Sequence, residues 1–170
     1  RELIELIEQS GHRLLQTLNS ILDLSMLESG TLKTKPQEIN IVDEVQALVA
    51  QLAMQVQDKG LFLNFSSLYQ DIRAIVDRTS LDRIITNLVS NAIKFTREGG
   101  INVSMQPHGK QVEIRVEDTG IGIEDGFLPY VFEAFRQEST GMARSFEGNG
   151  LGLTITKRLV SFMGGDINVE

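Results

Sequence analysis

Leu81-Asp82-Arg83-Ile84-Ile85-Thr86-Asn87-Leu88-Val89-Ser90-Asn91-Ala92-Ile93-Lys94-Phe95 is the stretch on which the fold turns. Leu81, Ile84, Ile85, Leu88, Val89, Ala92 and Ile93 recur at alternating spacings of three and one, which makes one apolar stripe of helical period and predicts a buried face. Thr79 followed by Asp82 resembles a capping box with Asp in place of the usual acid, so the helix is expected to start at Thr79 and run to about Phe95. On the opposite face Arg83, Asn87, Asn91 and Lys94 follow at spacings of four, four and three, stacking two amides and an ammonium in one row. A plain solvated face would more often use Glu and Lys, because Asn is a poor helix former whose side chain competes for the backbone. Two mid-helix asparagines one turn apart are locally unfavourable, and such violations collect at functional sites. An amide oxygen is a hard ligand suited to Mg²⁺, which keeps several waters and is completed by phosphates, and a neighbouring Lys supplies charge for those phosphates.

Two glycine signatures follow. Ile101, Val103 and Met105 alternate with polar residues, and after an expected turn at Pro107-His108-Gly109-Lys110 so do Val112, Ile114 and Val116, predicting two antiparallel strands with one buried face each. The second strand runs into Asp118-Thr119-Gly120-Ile121-Gly122. A carboxylate there can accept from an amino group such as N6 of adenine, and the glycines let the backbone approach a flat ring. For the segment in isolation an ordinary Asx turn is the preferred reading. Gly148-Asn149-Gly150-Leu151-Gly152 then opens an amphipathic run through Leu153, Ile155, Leu159, Val160 and Met163, ended by Gly164-Gly165. Free N–H groups and the helix dipole at its start favour phosphates. A dinucleotide fold is disfavoured, since the spacing is not G-x-G-x-x-G and no strand leads directly into the loop. No Walker lysine motif is present.

Taken in order, these segments resemble the ATP-binding catalytic half of a sensor histidine kinase of two-component signalling. Asn87 to Thr96 is similar to that family's N box, Asp118 to Ile123 to its first glycine box, Phe132-Glu133-Ala134-Phe135-Arg136-Gln137 to its F box, and Gly148 to Leu153 to its second glycine box. The resemblance implies a Bergerat-type two-layer α/β sandwich, a mixed sheet with helices on one face, and a nucleotide beneath a lid from about Arg136 to Glu147. It implies ATP and Mg²⁺ as ligands, with Asn91 on the metal, Lys94 reaching the phosphates, Asp118 reading adenine, and Gly148, Gly150 and Gly152 cradling phosphates. Gly120, Gly122, Ile123, Phe135, Arg144 and Leu151 complete the expected nucleotide-binding set, and Asn87 and Lys94 are the catalytic candidates. Asn149 stands where the family more often has Ser or Thr.

Ahead of this region Ile4, Ile7, Gly11, Leu14, Leu18, Ile21 and Ser25 form a heptad seam suited to a helical bundle. Residues 1–30 resemble the second helix of the dimerisation and histidine-phosphotransfer domain, 31–38 a linker, and 39–170 the ATP-binding domain, expected to lack its last strand because Ile167-Asn168-Val169-Glu170 reads as a strand just starting. The family's phosphorylated histidine lies on a preceding helix in a Ser-His-Glu-x-x-Arg-x-Pro sequence. His12 is followed by Arg13 where the family has an acid, so the phosphoacceptor is expected outside this chain, and His108 in its hairpin is expected to be inert. The implied partners are the chain's own phosphotransfer histidine domain, the receiver domain of a response regulator, and a second copy through the bundle.

Composition agrees. A chain of 170 residues with 41% hydrophobic content can bury one core plus an appended helix. A net charge of -7 argues against nucleic acid or anionic membrane as the main partner. The absence of Cys excludes disulfides and thiolate metal sites and suits a cytoplasmic location, and no apolar run reaches membrane length, although the parent protein could be membrane-anchored. Two function classes compete beside a purely regulatory nucleotide-binding module: a histidine kinase, and an ATP-hydrolysing clamp of the gyrase or mismatch-repair kind. Those hydrolases place a Glu one turn before the metal Asn as a general base for water. Position 87 holds an amide with no useful basicity.

Overall fold

A computed structural model describes residues 2–137 and 149–170, without the side chains of residues 2, 3, 5, 6, 9, 12 and 13 in the first helix. Helix α1 spans Glu2–Glu28, and it is followed by β1 (Gln37–Asn40), α2 (Ile41–Asp58), β2 (Phe62–Ser67), β3 (Arg73–Val76), α3 (Arg78–Phe95), β4 (Gly100–His108), β5 (Gln111–Asp118), a 3₁₀ turn (Leu128–Tyr130) and α4 (Gly152–Phe162). The main sheet has the order β2-β4-β5, with β2 parallel and β5 antiparallel to β4. It is therefore mixed, as the resemblance implied. β1 and β3 form a separate antiparallel ribbon in which Gln37 faces Val76 and Asn40 faces Arg73.

One face of the sheet presents Ile101, Val103 and Met105 of β4, with Leu63 and Phe65 of β2 and Val112, Ile114 and Val116 of β5 beside them. Against it lie Val45, Val49, Leu52 and Val56 of α2 and the whole predicted stripe of α3, of which only Leu88 is less than fully buried. The other face is polar, with Asn64 donating to Asn102 at 3.0 Å across β2 and β4, and Gln106 to Glu113 at 2.8 Å across β4 and β5. Helices on one face and solvated amides on the other give the two layers.

Three local expectations are corrected. The N-cap of α3 is Asp77, not Thr79: β3 ends at Val76, Asp77 is still extended, and its carboxylate accepts from Ser80 N and Ser80 Oγ at 2.8 Å each. Thr79 is left exposed and Asp82 instead accepts from Thr86 Oγ1. The hairpin turn is narrower than expected, because Pro107 and His108 remain in β4 opposite Val112 and Gln111, and only Gly109, with φ of +63°, and Lys110 make the turn. Ile167–Glu170 adopts no strand, so β5 closes the sheet among the described residues.

Both ends of α3 are tied down. The other oxygen of Asp77 accepts from the backbone N–H of Lys35, which fastens the segment after α1 to the start of α3. At the far end Lys59 Nζ, just past α2, donates to Ile93 O at 2.9 Å. Helix α1 packs on α4 and brings Leu24 and Leu27 to the core. Its Asp23 pairs with Arg83 of α3 at 2.7 Å, which takes Arg83 out of the expected row with Asn87. The seam residues Ile4, Ile7, Leu14, Leu18 and Ile21 remain exposed.

Candidate functional site

The C-terminal half of α3, the loop after β5 and the start of α4 converge. Asn91 and Lys94 are half-buried on α3, with Lys94 Nζ 4.7 Å from the centre of the Phe95 ring. The helix is capped at its C-terminus by Thr96, whose N–H reaches Ala92 O at 3.0 Å, and the carbonyl of its last residue, Phe95 O, accepts from Ile121 N at 3.3 Å. That bond brings the Asp118–Gly122 loop onto the end of the helix. A Cβ at Gly120 would stand 2.6 Å from both Phe95 O and Asp118 Oδ1, so no larger residue fits this approach. Asp118 Oδ1 accepts from Gly120 N at 2.8 Å, which is the Asx turn read from the sequence, and the carboxylate stays exposed at the strand end. Thr119 braces the loop from behind by donating to Glu98 O and accepting from Gly100 N. Gly122 has φ of +71° with open space around it, and Ile123 follows it, exposed.

The segment read as an F box meets the second glycine loop directly. Phe135 N donates to Gly150 O at 3.1 Å, and Gly150, at φ of +67°, lies so close that a Cβ there would be 2.9 Å from Arg136 O. Phe135 itself has φ of +62° and is 65% exposed, a left-handed conformation rare for an aromatic residue. Asn149 Oδ1 accepts from Leu151 N at 3.1 Å, the bond a Ser or Thr hydroxyl could make there, so its departure from the family pattern keeps the loop geometry. Leu151 is fully buried and anchors the loop, and no side chain caps α4 after it. Thr154 Oγ1 donates to Phe132 O at 2.9 Å. Arg144, Gly148 and almost all of the expected lid lie outside the described residues, as does the His12 side chain.

Asn87 is placed differently from Asn91. Its Nδ2 donates to Thr156 Oγ1 on α4 at 2.8 Å, and a Cβ on Gly152 would clash with its Oδ1. Thr156, Thr154, Thr119 and Asp77 were not singled out from sequence. Their partners are remote in the chain or backbone atoms, and only the Asp at a strand-to-helix junction carried a readable signal, as a good N-cap type. Among the described residues no group of three or more His, Cys, Asp or Glu could hold an ion, and the Asn91 side chain offers an amide oxygen. An amide oxygen is a hard donor of the type that suits Mg²⁺ completed by waters and phosphates.

Residues 76–170, from the last residue of β3 onward, match the family described as histidine kinase-, DNA gyrase B-, and HSP90-like ATPases. The chain belongs to this family. Among curated relatives, the signal transduction histidine-protein kinase BarA of Escherichia coli K12 is 40% identical over 175 residues, covering 99% of this chain and 19% of BarA. The structure of full-length ShkA in complex with AMPPNP superposes with a TM-score of 0.82 at 27% identity, over 96% of this chain and 34% of that one. A histidine kinase ThkA, solved in complex with the response regulator protein TrrA, shares the fold with a TM-score of 0.76 at 21% identity, over 97% of this chain and 45% of that one. The chain thus spans about a fifth of the curated relative's length. Among the described residues no helix is long and apolar enough to cross a membrane.

Proposed function

We propose that this chain is the ATP-binding catalytic region of a sensor histidine kinase, transferring the γ-phosphoryl of ATP to a histidine on a separate helical domain for relay to a response regulator Asp. Family membership alone leaves the choice open, because the family includes both kinases and hydrolases. The observation that carries the choice is Asn87. Its side chain is an amide with no useful basicity, and its Nδ2 is spent on Thr156 of α4, so the helix turn before Asn91 offers no base for water and ATP is preserved for an external nucleophile. BarA points the same way by its name as a histidine kinase, and ShkA, solved with AMPPNP, supports the nucleotide site common to both readings.

In this reading residues 1–30 belong to the phosphotransfer bundle, 31–38 link it, and 39–170 bind nucleotide. Asn91 holds Mg²⁺ through its amide oxygen, Asp118 accepts from the adenine amino group, and Gly120, Gly122 and Ile123 lie along the base. Lys94, Arg144 and the backbone from Gly148 to Gly152 neutralise the phosphates, with Phe135 at the rim. Mg²⁺ supplies charge neutralisation during transfer, and the chain's own work is positioning. The exposed seam of α1 pairs with a second copy, and the protein acts in the cytoplasm whether or not its parent is anchored in a membrane.

The test compares phosphohistidine formation on an added phosphotransfer domain with phosphate release by this chain. Wild type should transfer and hydrolyse slowly, and Asn91→Ala should abolish transfer while the fold survives, since position 91 lies opposite the buried stripe. Rapid phosphate release by the chain alone, unchanged in Asn87→Ala, would make the hydrolase the better reading.

A further inference from the structure

Helices α3 and α4 touch through a polar junction inside an otherwise apolar contact. Thr156 is 1% exposed, yet its hydroxyl accepts a 2.8 Å hydrogen bond from the Asn87 amide, 69 residues away in sequence. One turn earlier on α4, a Cβ at Gly152 would clash with the Asn87 carbonyl oxygen, so a side chain there would have to push the Asn87 amide out of its bond to Thr156. Positions 152 and 156 are four apart and so lie on the same helix face. A single amide on α3 thus fixes both the rotation of α4, through Thr156, and its distance, through Gly152. Thr154 points elsewhere, to Phe132 O at 2.9 Å, so the first turn of α4 is held from two sides.

We propose that Thr156 is a positioning residue for the triphosphate: acting through Asn87, it sets the glycine loop at the start of α4 in register with Asn91 on α3. The inference rests on the kinase-type ATP site described above. The adenine-reading loop is attached to α3 through Phe95 O and Ile121 N, whereas the phosphate-facing loop belongs to α4. A slip between the helices therefore separates phosphates from metal ligand while leaving base recognition intact. Thr156 itself touches neither ligand. It also follows that Asn87 by itself favours a glycine at position 152.

The experiment is calorimetric binding of MgATP and of adenosine to the 170-residue chain, with melting temperature recorded in parallel. Thr156→Val keeps the shape and removes the acceptor; it should weaken MgATP about tenfold while adenosine affinity stays within twofold. Thr156→Ser keeps the hydroxyl and should restore MgATP binding to within about threefold of wild type. Asn87→Ala breaks the same bond from the more exposed helix, so it gives the same selective loss should the valine variant fail to fold, and combined with Thr156→Val it should be no worse than either alone. Gly152→Ala should be defective on its own and improved by Asn87→Ala, which vacates the space. Equal losses of MgATP and adenosine in the variants, or wild-type MgATP affinity in Thr156→Val, would overturn the inference. A wild-type chain that shows this binding pattern yet phosphorylates no histidine would sink the kinase reading and leave the positioning role standing.

Discussion

Replacing Asp77 by Ala removes a carboxylate that is 9% exposed and accepts three hydrogen bonds, each of 2.8 Å: from Ser80 N, Ser80 Oγ and Lys35 N. Loss of an N-cap costs about 0.5–2 kcal/mol. The Lys35 N–H, in a part-buried position, loses its acceptor as well, at about 1–3 kcal/mol. Allowing for overlap between the two effects, Asp77→Ala should destabilise the chain by about 2–4 kcal/mol in urea denaturation. Asp77→Asn should cost less, because an amide oxygen still caps. The pH dependence gives a second, independent readout. The Lys35 N–H is the largest influence holding the Asp77 carboxyl below its ordinary value of 3.8; burial opposes it, and the Ser80 hydroxyl and N–H and the Arg83 charge assist. A carboxylate with a depressed folded-state pKa contributes stability that is fully present above the unfolded value and lost as pH falls through the folded one. The gap between wild type and Asp77→Asn should therefore be constant from neutral pH down to about 4.5 and shrink below the ordinary value. An Asp77→Ala cost under about 1 kcal/mol, or a gap that does not narrow in acid, would refute this account of the cap.

Asp118→Asn retains an oxygen for Gly120 N but loses the charge, so it should weaken ATP binding by about 1.5–3 kcal/mol in calorimetry; wild-type affinity equal for ATP and GTP would remove Asp118 from the base site. Phe135→Gly relieves a left-handed conformation worth about 1–3 kcal/mol against a glycine entropy cost of about 0.5–1 kcal/mol. Since the ring is 65% exposed, stability should be unchanged or slightly raised while ATP affinity falls; a loss of more than about 1 kcal/mol in urea would show that the ring packs in a way the strain argument omits.

Long, strongly periodic segments were legible. The stripe from Leu81 to Ile93 and the alternation of β4 and β5 identify themselves, because burial of one face imposes a period on the residues that form it. β1 and β3 were not read, since four residues hold barely two alternations and their pairing is a tertiary fact. α2 carries a helical period in Val45, Leu48, Val49, Leu52 and Val56, but that period alone ties it to no site motif. The start of α3 was misplaced by two residues because Asp77 and Thr79 are both good caps and only the end of β3 decides between them. At the site, residue types with intrinsic cost were visible, such as mid-helix asparagines and paired glycines. The use of Asn87 was not, since its partner Thr156 is an ordinary residue of another helix.

The charges at the two ends of α3 have an electrical consequence. A carboxylate, Asp77, sits on its positive pole and an ammonium, Lys59, on its negative pole. The helix thus resembles a shorted cell, with its own field closed by fixed protein charge rather than by mobile ions. Little of that field is left to reach a nucleotide beside Asn91. Added salt has correspondingly little of it to screen, and the ionic-strength dependence of ATP affinity becomes a readout of the side-chain charges, acidic and basic, around the site.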